Sequence, residues 1–112
     1  MIIQGDNHPS ILIIERDISA WPYVELDFST SAGKTLKHWD KDDLTFDHAD
    51  AGYTISADWT QQETLALPAD ISCVWELKAL NSDGLVQFWE KARDTVAERN
   101  DKTVLGGDGD ED

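Results

Sequence analysis

Three histidines lie among carboxylates and are the first candidates for acid–base or metal chemistry. His38 stands two residues before Asp40, His48 directly follows Asp47, and His8 lies in the polar segment near the start of the chain. Metal sites often bring imidazoles together at short spacings such as His-x-His or His-x-x-x-His. No two of these histidines have that spacing, so we expect polar surface side chains and no metal site.

The other short motifs lack residues that their chemistry requires. Gly33-Lys34-Thr35 matches the end of a phosphate-binding loop, but Phe28 occupies the position where that loop needs its first glycine. The acidic segment 107–112 offers oxygen ligands without the twelve-residue loop of an EF-hand. Neither a Gly-x-Ser-x-Gly elbow nor a Cys-x-x-Cys pair occurs. The sequence therefore contains no catalytic signature and we expect no cofactor, although an enzyme of unknown type stays open as a third hypothesis.

Composition limits the partners that the chain can take. Its 112 residues include nine basic and 23 acidic side chains, which give a formal net charge of −14. That charge argues against binding to nucleic acid or to an anionic membrane, because few cations are available to replace phosphate counterions. No apolar run approaches the ~20 residues of a spanning helix, and we expect no signal peptide in segment 1–10. Cys73 is the single cysteine, so we expect a buried, unreactive thiol rather than a disulfide.

We expect the fold to be organised around residues 71–96. Apolar and polar side chains alternate through the first nine of them, which is the pattern of a half-buried strand. Segment 81–84 (Asn-Ser-Asp-Gly) supplies a turn, and a second strand beginning at Leu85 would complete a hairpin. Apolar residues in 83–99 also recur at helical spacing, so a helix is the alternative. We favour the strand because the neighbouring segments have strand patterns.

Further strand patterns lie between turn residues at 11–14, 23–28, 36–39, 44–47 and 53–59. The run 11–14 is apolar at every position, which predicts a strand covered on both faces at its start. We predict an all-β fold, an antiparallel β-sandwich of about six to seven short strands, with one helical turn near 61–64. One domain, 1–100, precedes an acidic Gly/Asp-rich tail, 101–112, which we expect to be disordered.

The strand patterns also assign the large apolar side chains. Those on the apolar faces are expected to form the core, namely Val24, Leu26, Phe28, Ile55, Trp59, Trp75, Leu77 and Phe88. Three other tryptophans lie beside polar or turn residues or on the second strand of the hairpin, namely Trp21, Trp39 and Trp89. Because tryptophan is enriched at the centres of protein interfaces, we expect these three to form a contact surface.

The segment from Thr54 to Arg93 resembles a known group of domains. The residues that carry the resemblance are Gly52-Tyr53-Thr54-Ile55, the connector 60–68, Val74-Trp75-Glu76-Leu77 and the closing segment 84–89, with Trp39-Asp40 earlier in the chain. They are similar to the small β-sandwich domains of bacteriophage virion proteins, especially LtfC-like domains and, more distantly, the N-terminal domain of upper baseplate proteins. Ala92-Arg93-Asp94 departs from the pattern, which usually has a glycine near the last strand.

The resemblance implies a non-enzymatic structural protein of the virion, in the tail, at the connector or associated with the capsid. Such a protein is made in the host cytoplasm and works by packing against other virion proteins or against copies of itself. The alternative is an acidic inhibitor that mimics DNA and blocks a nucleic-acid-binding host enzyme, since many acidic residues lie within 1–100. A mimic would need carboxylates in two rows at phosphate spacing on one elongated face.

Overall fold

Eight strands in two sheets form most of the fold. The computed structural model describes residues 1–84 and 87–98, so the predicted acidic tail, 101–112, lies outside the described residues. The strands are β1 (Ile2–Ile3), β2 (Ser10–Ile14), β3 (Tyr23–Thr30), β4 (Thr35–Asp40), β5 (Leu44–Ala49), β6 (Gly52–Ala57), β7 (Ile71–Leu80) and β8 (Gln87–Ala97). A 3-10 turn (Lys41–Asp43) and a short helix, α1 (Gln61–Leu65), join them. The predicted all-β, sandwich-like architecture is confirmed.

The large sheet has five strands in the order β1-β8-β7-β3-β4. Its centre includes the predicted hairpin, in which β7 and β8 pair antiparallel from Ile71 opposite Val96 to Leu80 opposite Gln87. The helical alternative is therefore wrong for residues 87–97, although the predicted strand start at 85–86 lies outside the described residues. β3 pairs antiparallel with β7 and β4, and β1 adds a short parallel strand beside β8.

The small sheet has three strands in the order β2-β6-β5. β5 and β6 form a hairpin that closes where Ala49 pairs with Gly52, and Gly52 has a φ of +141°. A φ in this range favours glycine over residues that carry a Cβ. β2 pairs with β6 from Ser10 opposite Ala57 to Ile14 opposite Tyr53. In the described part of the chain, no strand pairs with the other side of β2.

The inner faces of the two sheets enclose the core. Seven of the eight residues expected there are buried, namely Val24, Leu26, Phe28, Ile55, Trp59, Trp75 and Leu77. Phe88 is only half-buried and packs against the rim of the core, because it lies on β8 near the end of the hairpin where the chain passes from β7 to β8. Ile18, Ala57, Leu67 and Cys73 are buried as well. Alternation along the strands thus identifies most of the core.

The prediction for β2 is wrong on one of its faces. Ile14 is buried and Leu12 is half-buried, but Ile11 and Ile13 are 59% and 58% exposed. Among the described residues only one face of the small sheet is packed, so alternate side chains of β2 point to solvent. No described segment covers the outward-pointing half of this apolar run.

Helix α1 closes one end of the sandwich at the predicted position. The Thr60 hydroxyl accepts a hydrogen bond from the Glu63 backbone N–H, and the Glu63 carboxylate accepts one from the Thr60 N–H, which forms a capping box. Buried Thr64 connects the helix to the N-terminal segment, since its Oγ1 accepts from Gly5 N–H at 2.8 Å and donates to the Asp6 carbonyl at 2.9 Å. The helix thereby fixes the approach to β2.

Candidate interaction surface

Trp39 does not belong to a contact surface, contrary to the sequence-based expectation. Its side chain is 2% exposed and stacks on Trp75 with ring centroids 5.4 Å apart. The reason is the strand register: Trp39 lies opposite Leu26 of β3, whose side chain points into the core. The Trp39 indole N–H donates to the Asp58 carbonyl at 3.2 Å, so its polar atom is satisfied inside the fold.

The other two tryptophans expected at a surface are more accessible. Trp21 is half-buried against the core and lies under the Arg16 guanidinium, 5.8 Å from the ring centroid. Trp89 is 51% exposed on β8. Its indole N–H donates to Glu76 at 2.7 Å, and the Lys91 ammonium lies 5.2 Å from its ring centroid. The structure does not bring Trp21, Trp39 and Trp89 together in one surface.

The outer face of the large sheet carries paired charges. The Lys78 ammonium lies 3.5 Å from an Asp27 carboxylate oxygen and 3.7 Å from a Glu25 oxygen. His38 stands between two acids, with Nδ1 2.5 Å from Asp27 and Nε2 2.8 Å from Asp40. The hydrogen bond to Asp27, followed by the one to Asp40, raises the pKa of His38 above its ordinary value. Cations and carboxylates are thus interleaved on this face.

The three histidines take separate positions. His8 contacts the Asp6 carboxylate, His38 lies on the outer face of the large sheet, and His48 stacks on Tyr53 in the small sheet. Within residues 1–84 and 87–98, no group of three His, Cys, Asp or Glu side chains is arranged to hold a metal ion.

The Gly-Lys-Thr segment and the single cysteine both have structural positions in the fold. Gly33 lies in the turn between β3 and β4, where its N–H donates to the Thr30 carbonyl at 2.9 Å, so the Gly-Lys-Thr segment forms a hairpin turn. Cys73 is fully buried, and burial, reinforced by the nearby Asp94 charge, raises the pKa of its thiol.

Among the described residues no helix has the length and apolar character needed to cross a membrane.

A lysine covers the aromatic end of the core, which the sequence patterns did not indicate. The Lys37 ammonium lies 5.1 Å from the Trp39 ring centroid and 5.5 Å from that of Trp59, and it contacts the Glu63 carboxylate of α1. Burial works against the charge on Glu63, but Lys37 and the Thr60 N–H hold the pKa of that carboxyl below its usual value. Lys37 therefore links β4 to the helix that closes the sandwich.

An open cleft beside β2 is the clearest candidate for binding. We call it the edge cleft: it lies between β2 and residues 90–94 of β8 and has a volume of about 500 Å³. All five residues of β2 line it, whereas no residue of β6 does, so it opens on the unpaired side of β2. Trp59 and Trp75 also contribute to its lining. Among the described residues three strands face five, so no described strand covers this part of β8.

The wall of the edge cleft formed by β8 combines polar and small side chains. Glu90 lies opposite Leu77 and Ala92 lies opposite Trp75, so both belong to the inner face, yet both are exposed. Asp94, also on this face, accepts a hydrogen bond from the Trp75 indole N–H at 2.9 Å and an ion pair from the Met1 amino group at 2.8 Å. Burial disfavours its charge, but these donors keep the pKa of Asp94 below its usual value.

Geometry of this kind suits the binding of an extended chain segment. The edge cleft presents a strand edge that no described strand pairs with, exposed aliphatic side chains, and the carboxylates of Glu90 and Asp94 on its β8 wall. No protein-family model matches the chain, and no curated protein sequence matches it.

Proposed function

We propose that the chain is a non-enzymatic structural protein of a bacteriophage particle, placed in the tail, at the connector or on the capsid. It acts by protein–protein assembly, either with other virion proteins or with copies of itself. The resemblance of segments 52–55, 60–68, 74–77 and 84–89 to virion β-sandwich domains supports the phage assignment. The unpaired edge of β2 supports the assembly mechanism.

The edge of β2 is the observation that carries this proposal. Sheet proteins that remain monomeric usually protect an edge strand with charges, proline or a covering segment. β2 has no charged residue from Ser10 to Ile14, its outer side has no strand neighbour in the described part of the chain, and Ile11 and Ile13 are exposed. An edge with these properties is suited to pairing with another chain.

The DNA-mimic alternative receives less support from the charge distribution. On the outer face of the large sheet, Glu25 and Asp27 pair with Lys78, and Asp27 also pairs with His38. Lys91 and Arg93 lie farther along the same face, opposite Glu76 and Val74 of β7. Phosphate mimicry needs uninterrupted rows of carboxylates, whereas these acids alternate with cations. The proposal of an assembly protein therefore takes precedence.

Immunogold electron microscopy of purified phage particles tests the virion assignment, with antibodies raised against the purified chain. Labelling at a fixed position on the particle is the expected result, and unlabelled particles from cells that express the chain would contradict it. Light scattering coupled to size-exclusion chromatography, at low and high salt, adds the oligomeric state. A salt-sensitive complex with a DNA-binding enzyme, together with unlabelled particles, would favour the mimic.

A further inference from the structure

We propose that the edge cleft accepts an extended segment of a different protein, which adds a fourth strand to the small sheet beside β2. The incoming strand carries alternating aliphatic side chains and places a lysine or arginine against Glu90. This inference rests on the proposed function only in taking the occupant to be a protein. It goes further in naming the site, the backbone conformation of the ligand and the charge that selects it.

The position of the cleft argues for an added strand. A strand paired with the free side of β2 would lie in the space between β2 and residues 90–94 of β8. Neighbouring strands lie about 4.8 Å apart and packed sheets about 10 Å apart, so one more strand extends the small sheet over the uncovered part of β8. Backbone hydrogen bonds to β2 would supply affinity, and alternate side chains would supply specificity.

The two faces of β2 determine the side chains that an incoming strand can use. Outward-pointing Ile11 and Ile13 are exposed and would form cross-strand pairs with aliphatic side chains of the ligand. Inward-pointing side chains of the ligand would face Ala92 and Glu90 of β8. The outward positions of the ligand strand therefore favour aliphatic residues. One of its inward positions lies next to the Glu90 carboxylate.

Glu90 provides the charge that identifies the partner. Its side chain makes no hydrogen bond or ion pair within the part of the chain that the structure describes. Asp94, the other carboxylate on this wall, is already paired with Trp75 and the Met1 amino group. Lys91 and Arg93 also contribute to the lining of the cleft, but the register places their side chains on the outer face, opposite Glu76 and Val74. Among the described residues neither forms an ion pair with Glu90. A covering strand must bring a cation or leave Glu90 unpaired.

A second copy that pairs through its own β2 does not meet that requirement. If β2 of one copy paired with β2 of another, the residues placed in the cleft would be Ser10 to Ile14, which include no cation. Covering the Glu90 carboxylate without a partner is costly. Inward-pointing charges of this kind are a known means by which sheet proteins prevent pairing of their own edges. Glu90 thus disfavours pairing of β2 with β2 of a second copy and favours a strand that carries a cation.

Selection from a displayed library of random nine-residue segments tests this inference, using the full chain and two variants. The wild-type protein is expected to enrich segments with alternating aliphatic residues and a lysine or arginine at an inward position. Glu90→Lys is expected to enrich aspartate or glutamate there instead. Ile13→Lys, which changes a side chain that is 58% exposed, is expected to lose the enrichment without loss of folding. Leu80→Lys, on the outer face of the large sheet, is the matched control and should enrich the same segments as wild type.

A synthetic peptide from the wild-type selection then gives the affinity and the location. Exchanging its basic residue for glutamate should weaken binding to the wild-type protein roughly tenfold or more and strengthen binding to Glu90→Lys. Hydrogen–deuterium exchange should show new protection in β2. Absence of enrichment, the same preferred charge for wild type and Glu90→Lys, or protection confined to other strands would overturn the inference.

Two results separate this inference from the proposed function. Particles that carry the chain, combined with a library that shows no charge reversal, would overturn the edge-cleft inference alone. Charge-reversing peptide binding by a chain that is absent from particles would overturn the virion assignment alone. A wild-type dimer whose exchange protection maps to β2 would show that a second copy occupies the edge, which also overturns the selection by Glu90.

Discussion

The Trp75 indole N–H donates to the Asp94 carboxylate at 2.9 Å, across the β7–β8 hairpin and at the boundary between the core and the edge cleft. The indole ring lies in a cluster with Phe28, Trp39 and Trp59, with centroid distances from 4.6 to 6.1 Å. One side chain therefore fills the core and also satisfies a carboxylate at the rim. The packing of the core and the hydrogen bonding of the Asp94 carboxylate therefore depend on the same residue, Trp75.

Replacing Trp75 with alanine should be among the most destabilising substitutions in the chain. The side chain is 4% exposed, and removal of a buried aromatic side chain costs about 3–5 kcal/mol of unfolding free energy. Chemical denaturation monitored by circular dichroism measures the change. Trp89→Ala is the control, because that side chain is 51% exposed and its loss should cost less than about 1 kcal/mol. Equal losses for the two variants would contradict the placement of Trp75 in the core.

Lys37→Ala should weaken the closure of the sandwich by α1. The substitution removes the ammonium above the Trp39 and Trp59 rings and the ion pair with Glu63, and it uncovers the aromatic surface beneath the alkyl chain. We expect a loss of about 1–2 kcal/mol. Lys37→Met keeps most of the apolar contact and should lose less. If both variants unfold at the same denaturant concentration as wild type, Lys37 contributes nothing to closure.

Strand alternation explains why the core was largely predictable and the surface was not. From Ile71 to Ala79 the period-two pattern states directly which side chains share a face, and β7 has that arrangement. For Trp39 the local pattern Leu-Lys-His-Trp contains no clear alternation, and the inward direction depends on pairing with Leu26. For Ile11 and Ile13, exposure depends on whether a further layer covers the outer face of the small sheet. Strand register and the layering of sheets are tertiary properties, which the sequence of a single strand does not encode.

The sequence allowed only part of the edge cleft to be predicted. An unpaired edge is expected somewhere in any open sandwich, and partner pairing at such an edge follows from general principles. That β2 would be the edge, and that Glu90 would face the uncovered layer, depends on strand order and on the register of Glu90 with Leu77. Contacts between residues far apart in sequence determine both.

His38 should make the stability of the fold depend on pH. Its pKa is raised by Asp27 and Asp40, so the ring binds its proton more tightly in the folded state than in the unfolded chain. The stabilisation is complete below the ordinary histidine value of about 6.5 and disappears as the pH rises through the raised folded value. His38→Gln should therefore cost more stability at about pH 5.5 than at about pH 9. The effect is expected to be small, since the side chain is 41% exposed and screened by solvent.

An NMR titration of the His38 ring checks the cause of this pH dependence. Asp27→Asn should lower the pKa of His38 more than Asp40→Asn does, because the hydrogen bond to Asp27 makes the larger contribution. The nearby Lys78 ammonium also contacts Asp27, so the Asp27 variant should be examined at low and high salt. A His38 titration that is the same in wild type and both variants would refute the bridge between the two carboxylates.

Gly52→Ala should disrupt the attachment of β2, because two effects act at one position. Gly52 has a φ of +141°, which disfavours any residue with a Cβ, and an added Cβ would lie 2.8 Å from the Ile14 carbonyl oxygen. That contact is shorter than van der Waals distance and involves backbone atoms, so β2 must move away from β6. Gly33→Ala is the matched control: its φ of +101° imposes a similar backbone cost, but no atom lies within 4 Å of the added Cβ. We expect Gly33→Ala to lose about 1–3 kcal/mol and Gly52→Ala to lose more.

The same pair of glycine variants relates stability to the binding edge. Displacing β2 from β6 changes the position of the strand edge, so Gly52→Ala should weaken binding of the selected peptide and speed hydrogen exchange in β2 and β6. Gly33 lies in the β3–β4 turn of the large sheet, and Gly33→Ala should leave both properties close to those of wild type. Peptide binding unchanged in Gly52→Ala, despite faster exchange in β2, would mean that the edge of β2 is not what the peptide recognises.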